Sequence, residues 1–315
     1  MTLPERICDA HHHLWLRTGW PYVVDDLLAD IATVPHVTRT VFVECGAWYH
    51  EAGPEHLRSV GETEWVAANT DAALTQGIVG ATDLRLGALT EEALDAHVAA
   101  GQGRFRGIRQ RATWDASPLI RAGEPDPGPS LLLDPDFRRG IAALARRGLS
   151  FDAWLYFPQL TELVDLARAF PDATIVLNHF GGPIVMGPYT DRIATLARWR
   201  ELIVEVAACP NVVVKLGAIG MPIYGLEWHK RSTTPTADEV AAAWRDPIRL
   251  CIDLFGVERC LFESNFPVDR ASIDYGTLWR AFDIVSADLS PSGRAALFHD
   301  TAVAVYRLPD EGSAT

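Results

Sequence analysis

The first apolar run of the chain reads ICDAHHH over residues 7–13. Apolar residues flank its histidines on both sides, as expected of a buried strand and not of a histidine tag. Because side chains along a strand alternate between its two faces, Asp9, His11 and His13 are predicted on one face and His12 on the other. Two neutral imidazoles on one face supply half of a metal site.

Similar short apolar runs recur along the chain and alternate with segments whose apolar residues are spaced three and four apart. This alternation predicts strands joined by helices, which favours an α/β fold with a parallel sheet. Eight such runs predict a TIM (β/α)8 barrel, with residues 1–315 as a single domain. The runs are 7–13, 40–45, 78–83, 105–110, 150–156, 174–179, 211–217 and 260–266.

Two connections between these runs are long and rich in proline or aromatic residues. The first extends from Arg111 to Leu133 after strand four, and the second from Ala218 to Thr236 after strand seven. Barrel enzymes keep their active sites at the carboxyl ends of the strands. We therefore expect a distorted barrel in which both loops form walls or lids of a pocket.

The composition is that of a globular protein with a large core, since 48% of the 315 residues are apolar. A net charge of −13 without a basic stripe disfavours nucleic acid as a partner. The five cysteines lack CxxC spacing, which indicates reduced thiols and a cytoplasmic protein. No signal-peptide core or run of about 18 apolar residues occurs, so we expect no targeting segment and no membrane partner. Assembly into a homo-oligomer is left open.

Polar residues cluster where the strands end, although an apolar barrel would continue there. Each of them would cost a few kcal/mol if it were buried without a partner. Together they predict a polar pocket at one rim of the barrel. These residues are Asp9, His11, His13, Glu44, Asp83, Arg109, His179, Lys215, Glu263 and Asn265.

Three motifs carry a resemblance to a known family. Asp-x-His-x-His begins at Asp9, LNHFGGP occupies residues 177–183 and FESNFPV occupies residues 262–268. They resemble the motifs at the ends of strands one, six and eight of the amidohydrolase superfamily. The resemblance is to the amidohydrolase-related branch, which contains barrel lactonases acting on sugar lactones and pyrone dicarboxylates. It extends from about residue 6 to residue 308.

The resemblance implies that His11, His13 and His179 hold one divalent metal, Zn²⁺ or Mn²⁺, which would activate water. The chain departs from the family pattern at Asn265, where most relatives have an aspartate that binds the metal and accepts the proton from water. An amide cannot act as a general base. A metal-free mechanism, in which the three histidines and Arg109 polarise the substrate carbonyl, is the alternative.

A carboxylate is needed in place of the missing aspartate. Glu263 shares a face with Asn265 and is the first candidate, followed by Asp9 and Asp83. Each of these carboxylates also has a purely structural interpretation. Glu263 could orient a ligating histidine or pair with Lys215 or Arg109.

Substrate contacts are predicted from residues that follow strand ends. Arg109 has a planar guanidinium suited to a carboxylate or lactone oxygen. Aromatic side chains around a polar floor suit a cyclic or aromatic small molecule, although some of them would only pack loops together. His229 could act as an acid from the loop after strand seven, or be a surface histidine. The aromatic candidates are Trp15, Trp48, Trp114 and Tyr156.

The predicted function is hydrolysis of a lactone or related cyclic ester by attack of water on the carbonyl. In this hypothesis an inward carboxylate accepts the proton and Asn265 positions water or substrate. A metal-dependent decarboxylase or hydratase of an aromatic or unsaturated acid is the alternative. It fits less well, because by resemblance those decarboxylases keep the aspartate that Asn265 replaces. A barrel that only binds a small molecule is the third interpretation.

Overall fold

The structure is a computed structural model that describes residues 3–120 and 126–309. Eight parallel strands form a nearly closed barrel surrounded by helices, which confirms the predicted TIM (β/α)8 fold. Each strand pairs with the next one along the chain, as expected of successive β-α units. The strands are β1 Ile7–His12, β2 Val37–Val43, β3 Thr75–Gly80, β4 Phe105–Arg111, β5 Ser150–Trp154, β6 Ile175–Leu177, β7 Val212–Leu216 and β8 Cys260–Phe262.

Four of the described α-helices begin at a side-chain cap, namely those after Asp134, Asp191, Thr236 and Ser290. Asp134 is one example, since its carboxylate accepts hydrogen bonds from the backbone N–H groups of Asp136 and Phe137. None of the described helices combines the length and apolarity needed to cross a membrane. The α-helices are α1 Val24–Ala32, α2 Val60–Asn69, α3 Ala88–Ala100, α4 Pro135–Arg146, α5 Leu160–Ala169, α6 Arg192–Ala207, α7 Ala237–Phe255, α8 Tyr275–Val285, α9 Pro291–Ala295 and α10 Thr301–Tyr306.

The first and last strands close the barrel through the residues that follow β8. The backbone N–H of Asn265 donates to the carbonyl of His11 at 2.8 Å, and that of His13 donates to Phe266 at 2.7 Å. A parallel bridge also joins His12 to Phe266. The closure therefore places residues 263–266 directly beside the histidines of β1.

The barrel interior changes from apolar to polar along its axis. Val79 of β3 and Val213 of β7 belong to one buried cluster that also contains Tyr306 of α10. Residues of such distant strands can share a cluster only inside the barrel, so α10 closes one end of it. Lys215 lies two positions after Val213, and alternation directs it inward as well. Glu263 follows the end of β8 and is fully buried.

Both long connections are present in the structure. The loop from β4 to α4 includes a 3-10 turn at Leu131–Leu133, and its residues 121–125 lie outside the described part of the chain. The loop from β7 to α7 contains 3-10 turns at Pro222–Tyr224 and Trp228–Lys230. A short hairpin of Trp15–Arg17 and Trp20–Tyr22 follows β1. These segments all follow strand ends at the same rim of the barrel.

All five cysteines are free. Four are buried, and Cys45 is half-buried. This agrees with the prediction that they pack as reduced thiols.

Candidate active site

The structure brings three predicted imidazoles together at the carboxyl end of the barrel. The ring centroid of His11 lies 4.8 Å from that of His13 and 4.7 Å from that of His179. None of the three residues is more than 3% exposed. Their meeting joins the first strand to the sixth, although 166 residues separate His13 from His179 along the chain.

The backbone turns sharply where two of the site strands end. His179 has a φ of 56° and Asn265 has a φ of 57°, both in the left-handed region. His and Asn enter this region more readily than β-branched residues do. These left-handed residues follow the ends of β6 and β8, where the chain enters the loops at the mouth of the barrel.

Glu263 lies between two of the imidazoles. Its Oε1 is 2.6 Å from Nδ1 of His179, and its Oε2 is 2.8 Å from Nδ1 of His11. Ligand atoms of His11, His179 and Glu263 all lie within 4.8 Å of one another. Burial raises the pKa of Glu263 to about 8, although the nearby Lys215 ammonium opposes this.

The imidazoles are held in the neutral form. Burial lowers the pKa of His11 well below its usual value, and the positive charge of Lys215 acts in the same direction. Burial followed by the charge of Arg109 has this effect on the pKa values of His13 and His179. Each ring therefore keeps one nitrogen lone pair for a proton, a substrate or a metal ion.

The residues at this centre fit a divalent metal ion. Imidazole nitrogens and carboxylate oxygens are ordinary ligands of zinc. Oε2 of Glu263 is buried and has no hydrogen-bond partner among the described residues, although it lies close to Nδ1 of His11. A buried oxygen of this kind is costly unless a proton or a cation satisfies it. The compact group is His11, His179 and Glu263, with His13 adjacent to His11.

Arg109 connects the imidazoles with a cavity. Its Nε donates to Oε1 of Glu44 at 2.7 Å, and its Nη2 donates to the Glu44 carbonyl. Its Nη1 lies 3.4 Å from Nε2 of His11. Arg109 and Glu44 also line a cavity of about 710 Å³, which Asp83 borders after β3. The cavity therefore opens at the carboxyl ends of β2, β3 and β4, and Arg109 links it to His11.

Asp83 faces the cavity but is already ion-paired. Both of its oxygens accept hydrogen bonds from Arg85, and Oδ1 also accepts one from Gln110 at 3.1 Å. Burial raises the pKa of Asp83, but the bonds from Arg85 and Gln110 outweigh it and leave the pKa below its usual value. A carboxylate with a lowered pKa is a weak general base.

The prediction that Asp9 shares a face with His11 and His13 is wrong. Asp9 accepts hydrogen bonds from the hydroxyl of Tyr275 in α8 at 2.9 Å and from the backbone of Ser264. The pairing of β1 with β2 shifts its register between Asp9 and His12. Such an irregularity breaks strict alternation of side chains between the two faces. Asp9 therefore contacts α8 through Tyr275, while His11 faces the other imidazoles.

Asn265 is tied to a carboxylate that the sequence analysis did not single out. Its Nδ2 donates to Oδ1 of Asp269 at 2.9 Å, and Oδ2 of Asp269 accepts from the backbone of Gly220 at 2.7 Å. Burial raises the pKa of Asp269 to about 8. The pair therefore joins the end of β8 to the long loop after β7.

The predicted aromatic contacts divide into two groups. Trp15 stacks on His13 with centroids 5.9 Å apart, and Tyr156 contacts Trp154. Trp48 instead stacks on Trp65 of α2 at 3.5 Å, as expected of helix packing. Trp114 is half-buried, and its backbone N–H donates to Gln159.

His229 differs from the site histidines in its exposure to solvent. It belongs to the 3-10 turn Trp228–Lys230 and is exposed, whereas Trp228 beside it is buried. An exposed ring in a surface turn matches the alternative that the sequence left open. The structure gives it no hydrogen bond among the described residues that would direct it to the imidazoles.

Sequence reasoning missed two inward residues of β5. The ring of Trp154 lies 4.7 Å from that of His179, and Asp152 lies 3.0 Å from Nζ of Lys215. The two positions alternate with the apolar Phe151 and Ala153. Their spacing of two was therefore the available signal for an inward, polar-lined face.

The fold and the buried His–carboxylate centre define a class, the (β/α)8-barrel proteins whose site lies at the carboxyl ends of the strands. Within this class, residues 8–308 match the family model of the amidohydrolases, and the chain belongs to that family.

Individual proteins resemble the chain over nearly its whole length. It is 33% identical over 326 residues to the uncharacterized protein y4mH of Sinorhizobium fredii, covering 96% of this chain and 98% of that one. It is 28% identical to an L-fucono-1,5-lactonase of Burkholderia multivorans, covering 97% of each chain. A crystal structure of a Burkholderia multivorans amidohydrolase with bound zinc has the same fold. Its TM-score is 0.75 at 24% identity, covering 96% of this chain and 100% of that one.

Proposed function

We propose that the protein hydrolyses a lactone or a related cyclic ester. The observation that carries this proposal is the meeting of neutral imidazoles, Glu263 and Arg109 at one end of the barrel, where Arg109 also lines a cavity. The similarity to an L-fucono-1,5-lactonase supports a lactone as the bond that opens. Opening a lactone requires water at the carbonyl carbon, a donor for the oxyanion and a base for the water proton.

Arg109 supplies the donor. Glu44 holds its Nε and Nη2, which leaves Nη1 on the side of His11. A substrate carbonyl oxygen placed beside Nη1 would receive a charge-assisted hydrogen bond from a guanidinium that is already fixed. The oxyanion that forms on attack is stabilised more than the neutral carbonyl, which lowers the barrier.

Glu263 accepts the proton of the attacking water. Its raised pKa makes it a stronger base than an ordinary carboxylate, and its Oε2 lies 2.8 Å from Nδ1 of His11, within the centre. Asp83 is the weaker candidate because Arg85 lowers its pKa. The amide of Asn265 is occupied by Asp269, and we assign it to positioning the mouth of the barrel.

His11, His13 and His179 would hold one divalent ion such as Zn²⁺ or Mn²⁺, and Glu263 would orient His179 beside it. When bound, such an ion supplies a polarised carbonyl and a more acidic water. The bound zinc in the Burkholderia multivorans amidohydrolase structure supports this assignment.

The cavity indicates the kind of substrate. Its volume of about 710 Å³ suits a small molecule. Leu86, Leu89 and Tyr49 are among its apolar lining residues, and Asp83 and Arg85 are among its charged ones. We therefore propose a cyclic substrate that presents an apolar ring face and hydrogen-bonding groups.

A pH-stat assay tests the proposal directly. Sugar lactones, aromatic lactones and matched open-chain esters are offered to the protein as purified. The same panel is offered to chelator-treated protein resupplied with Zn²⁺ or Mn²⁺. We expect acid release from at least one class of lactone, faster than from the open-chain ester with the same acyl group. Loss of CO₂ from an aromatic or β-keto acid, without any lactone opening, would contradict the proposal.

Two histidine variants provide a matched pair for this assay. His179→Ala removes a buried imidazole of the centre, and we expect turnover to be lost. His229→Ala removes an exposed imidazole from a surface turn, and we expect turnover to stay within about twofold of the wild type. Equal loss in both variants would argue against the buried centre as the reacting site.

A further inference from the structure

Two buried side chains at the cavity each carry a polar atom that none of the described residues satisfies. Thr82 follows β3, lines the cavity and is 8% exposed, and its Oγ1 is buried without a hydrogen-bond partner. Glu44 follows β2, lines the same cavity and is 5% exposed. Its Oε1 accepts from Arg109, whereas its Oε2 accepts from none of the described residues. Because buried polar groups are normally hydrogen-bonded, both atoms require an explanation.

The pairing of Glu44 with Arg109 leaves Oε2 available. Arginine and a carboxylate frequently pair in a bidentate way that uses both carboxylate oxygens. Arg109 instead binds Oε1 with its Nε and the backbone carbonyl of Glu44 with its Nη2. An ionised carboxylate only accepts hydrogen bonds, so Oε2 keeps the capacity to accept one from a ligand.

The backbone around Glu44 is fixed independently of any ligand. The backbone N–H of Glu44 donates to the carbonyl of Val79 in β3 at 2.8 Å. Glu62 of α2 holds the segment that follows, since its Oε1 accepts from the backbone of Cys45 at 3.1 Å and of Ala47 at 2.8 Å. A ligand that binds Oε2 therefore loses little free energy to ordering of this segment.

Neighbouring polar side chains of the cavity differ from Glu44 and Thr82 because they are already hydrogen-bonded. Asp83 accepts from Arg85 with both oxygens. The amide of Gln110 donates to Asp83 at 3.1 Å and accepts from the backbone of Leu84 at 2.9 Å. These groups stabilise the wall of the cavity, whereas Glu44 and Thr82 have hydrogen-bonding capacity to spare for a ligand.

We propose that Glu44 and Thr82 form a subsite that recognises hydroxyl groups on the ring of the ligand. A ligand hydroxyl donates to Oε2 of Glu44, and a ligand hydroxyl either donates to or accepts from Oγ1 of Thr82. A bare hydrocarbon or ether ring has no proton to donate and leaves Oε2 unpaired. The part of this subsite in catalysis rests on the proposed lactone hydrolysis, in which Arg109 binds the carbonyl while Glu44 and Thr82 select hydroxylated rings.

Calorimetric titration with rings that lack a carbonyl tests the subsite without turnover. The ligands are anhydroalditols, which are sugar rings without a carbonyl group, in a panel that varies ring size and hydroxyl configuration. Oxane and oxolane are the same rings without hydroxyls. We expect at least one anhydroalditol to bind the wild type at least about tenfold more tightly than its bare ring. Absence of binding by every anhydroalditol, or equal affinity for the bare rings, would overturn the proposal.

Thr82→Val separates ligand recognition from packing. The variant keeps a branched side chain but removes the hydroxyl, and we expect the affinity for the anhydroalditol to fall about three- to tenfold. The free energy of unfolding should stay the same or rise, because an unpaired buried hydroxyl is removed. Thr277→Val in α8, outside the cavity lining, is the control and should bind as the wild type does. Lower stability with unchanged affinity in Thr82→Val would show that Thr82 has only a structural role.

Glu44→Gln tests the acceptor. The amide keeps an oxygen for Nε of Arg109 but places an NH₂ donor where Oε2 stood. We expect the affinity for the anhydroalditol to fall about tenfold or more, since a hydrogen bond to a charged acceptor is lost. Wild-type affinity in this variant would remove Glu44 from the subsite.

The calorimetric result and the pH-stat result can fail separately. If anhydroalditols bind as expected and no lactone is opened, the proposed function is wrong and the subsite stands. If lactones are opened and the bare rings bind as well as the hydroxylated ones, the subsite is wrong and the function stands.

Discussion

At the scale of single residues, Glu263 has the largest expected effect on chemistry. It is fully buried and bonded to His179, and its pKa is raised to about 8 by burial. A carboxylate kept out of water in this way gains basicity but must be satisfied by its neighbours. Glu263 therefore both orients an imidazole and offers an oxygen to the reacting water.

Glu263→Gln tests the assignment of the base. The amide keeps the shape of the side chain but cannot accept a proton from water. We expect kcat on the best lactone to fall by at least about 10²-fold, with KM changed by less than about threefold. Steady-state kinetics measures both constants. A loss of similar size in Asp83→Asn, with near-full activity in Glu263→Gln, would transfer the role of base to Asp83.

Glu62 is a second buried carboxylate with a testable pH dependence. Its Oε1 accepts hydrogen bonds from the backbone N–H groups of Cys45 and Ala47, and its Oε2 has no partner among the described residues. Burial, reinforced by the charge of Glu44, raises its pKa from 4.5 to about 8. Between these two values the folded protein holds a proton that the unfolded chain has released. Its contribution to the free energy of unfolding therefore falls as the pH rises.

Glu62→Gln should remove this contribution. We expect the free energy of unfolding of the wild type to fall relative to the variant by more than about 1 kcal/mol between pH 5 and pH 8. Urea unfolding at several pH values measures the difference. Glu64→Gln, an exposed neighbour on α2, is the control and should follow the wild type. Parallel pH profiles of the wild type and Glu62→Gln would contradict the raised pKa.

At the scale of secondary structure elements, the close approach of β7 to β8 positions Glu263. A Cβ atom built on Gly217 would lie 2.2 Å from Cγ of Glu263 and 2.3 Å from its carbonyl oxygen. Neither contact can be tolerated, and the backbone oxygen cannot simply rotate away. A glycine after β7 is therefore required for the carboxylate to reach the imidazoles.

Gly217→Ala should disturb both stability and activity. We expect the variant to lose about 1–3 kcal/mol of unfolding free energy and to lose lactone turnover as Glu263 is displaced. Gly276→Ala in α8 is the control, because its added Cβ would meet its nearest atom at 3.5 Å. That variant should be as stable as the wild type or slightly more stable. Wild-type stability and turnover in Gly217→Ala would show that β7 does not constrain Glu263.

Sequence patterns predicted the presence of the strands better than their ends or the direction of their side chains. All eight apolar runs became barrel strands, because buried parallel strands need continuous apolar segments. The predicted run 260–266 extends four residues beyond β8, which ends at Phe262. Asn265 in this extension is buried but has a left-handed backbone conformation, which a strand cannot include. The irregular pairing of β1 was also invisible to a rule of strict alternation, and it moved Asp9 away from the histidines.

The candidate site was predictable where it depended on strand ends. His11, His13, His179, Glu263 and Arg109 all follow from position along a strand, and the structure brings them together. Asp152 and Trp154 alternate with apolar neighbours along β5, but only their contacts with Lys215 and His179 place them in the site. The Asn265–Asp269 pair was missed because it depends on a turn after β8.

At the scale of the whole molecule, the barrel brings together residues that are far apart in sequence. Polar groups from β1, β4, β6, β7 and β8 meet above an apolar interior that α10 closes. Such a concentration of buried polar groups is unfavourable for folding alone, which supports a functional reason for it. The proposed hydrolysis requires that these groups act as one centre.

Calorimetric titration of chelator-treated protein with Zn²⁺ tests that requirement most directly. We expect one ion to bind per chain in the wild type, with an affinity at least about 100-fold weaker in His179→Ala and in Glu263→Gln. His229→Ala should bind as the wild type does. Absence of Zn²⁺ binding in the wild type, or unchanged binding in His179→Ala and Glu263→Gln, would contradict the account.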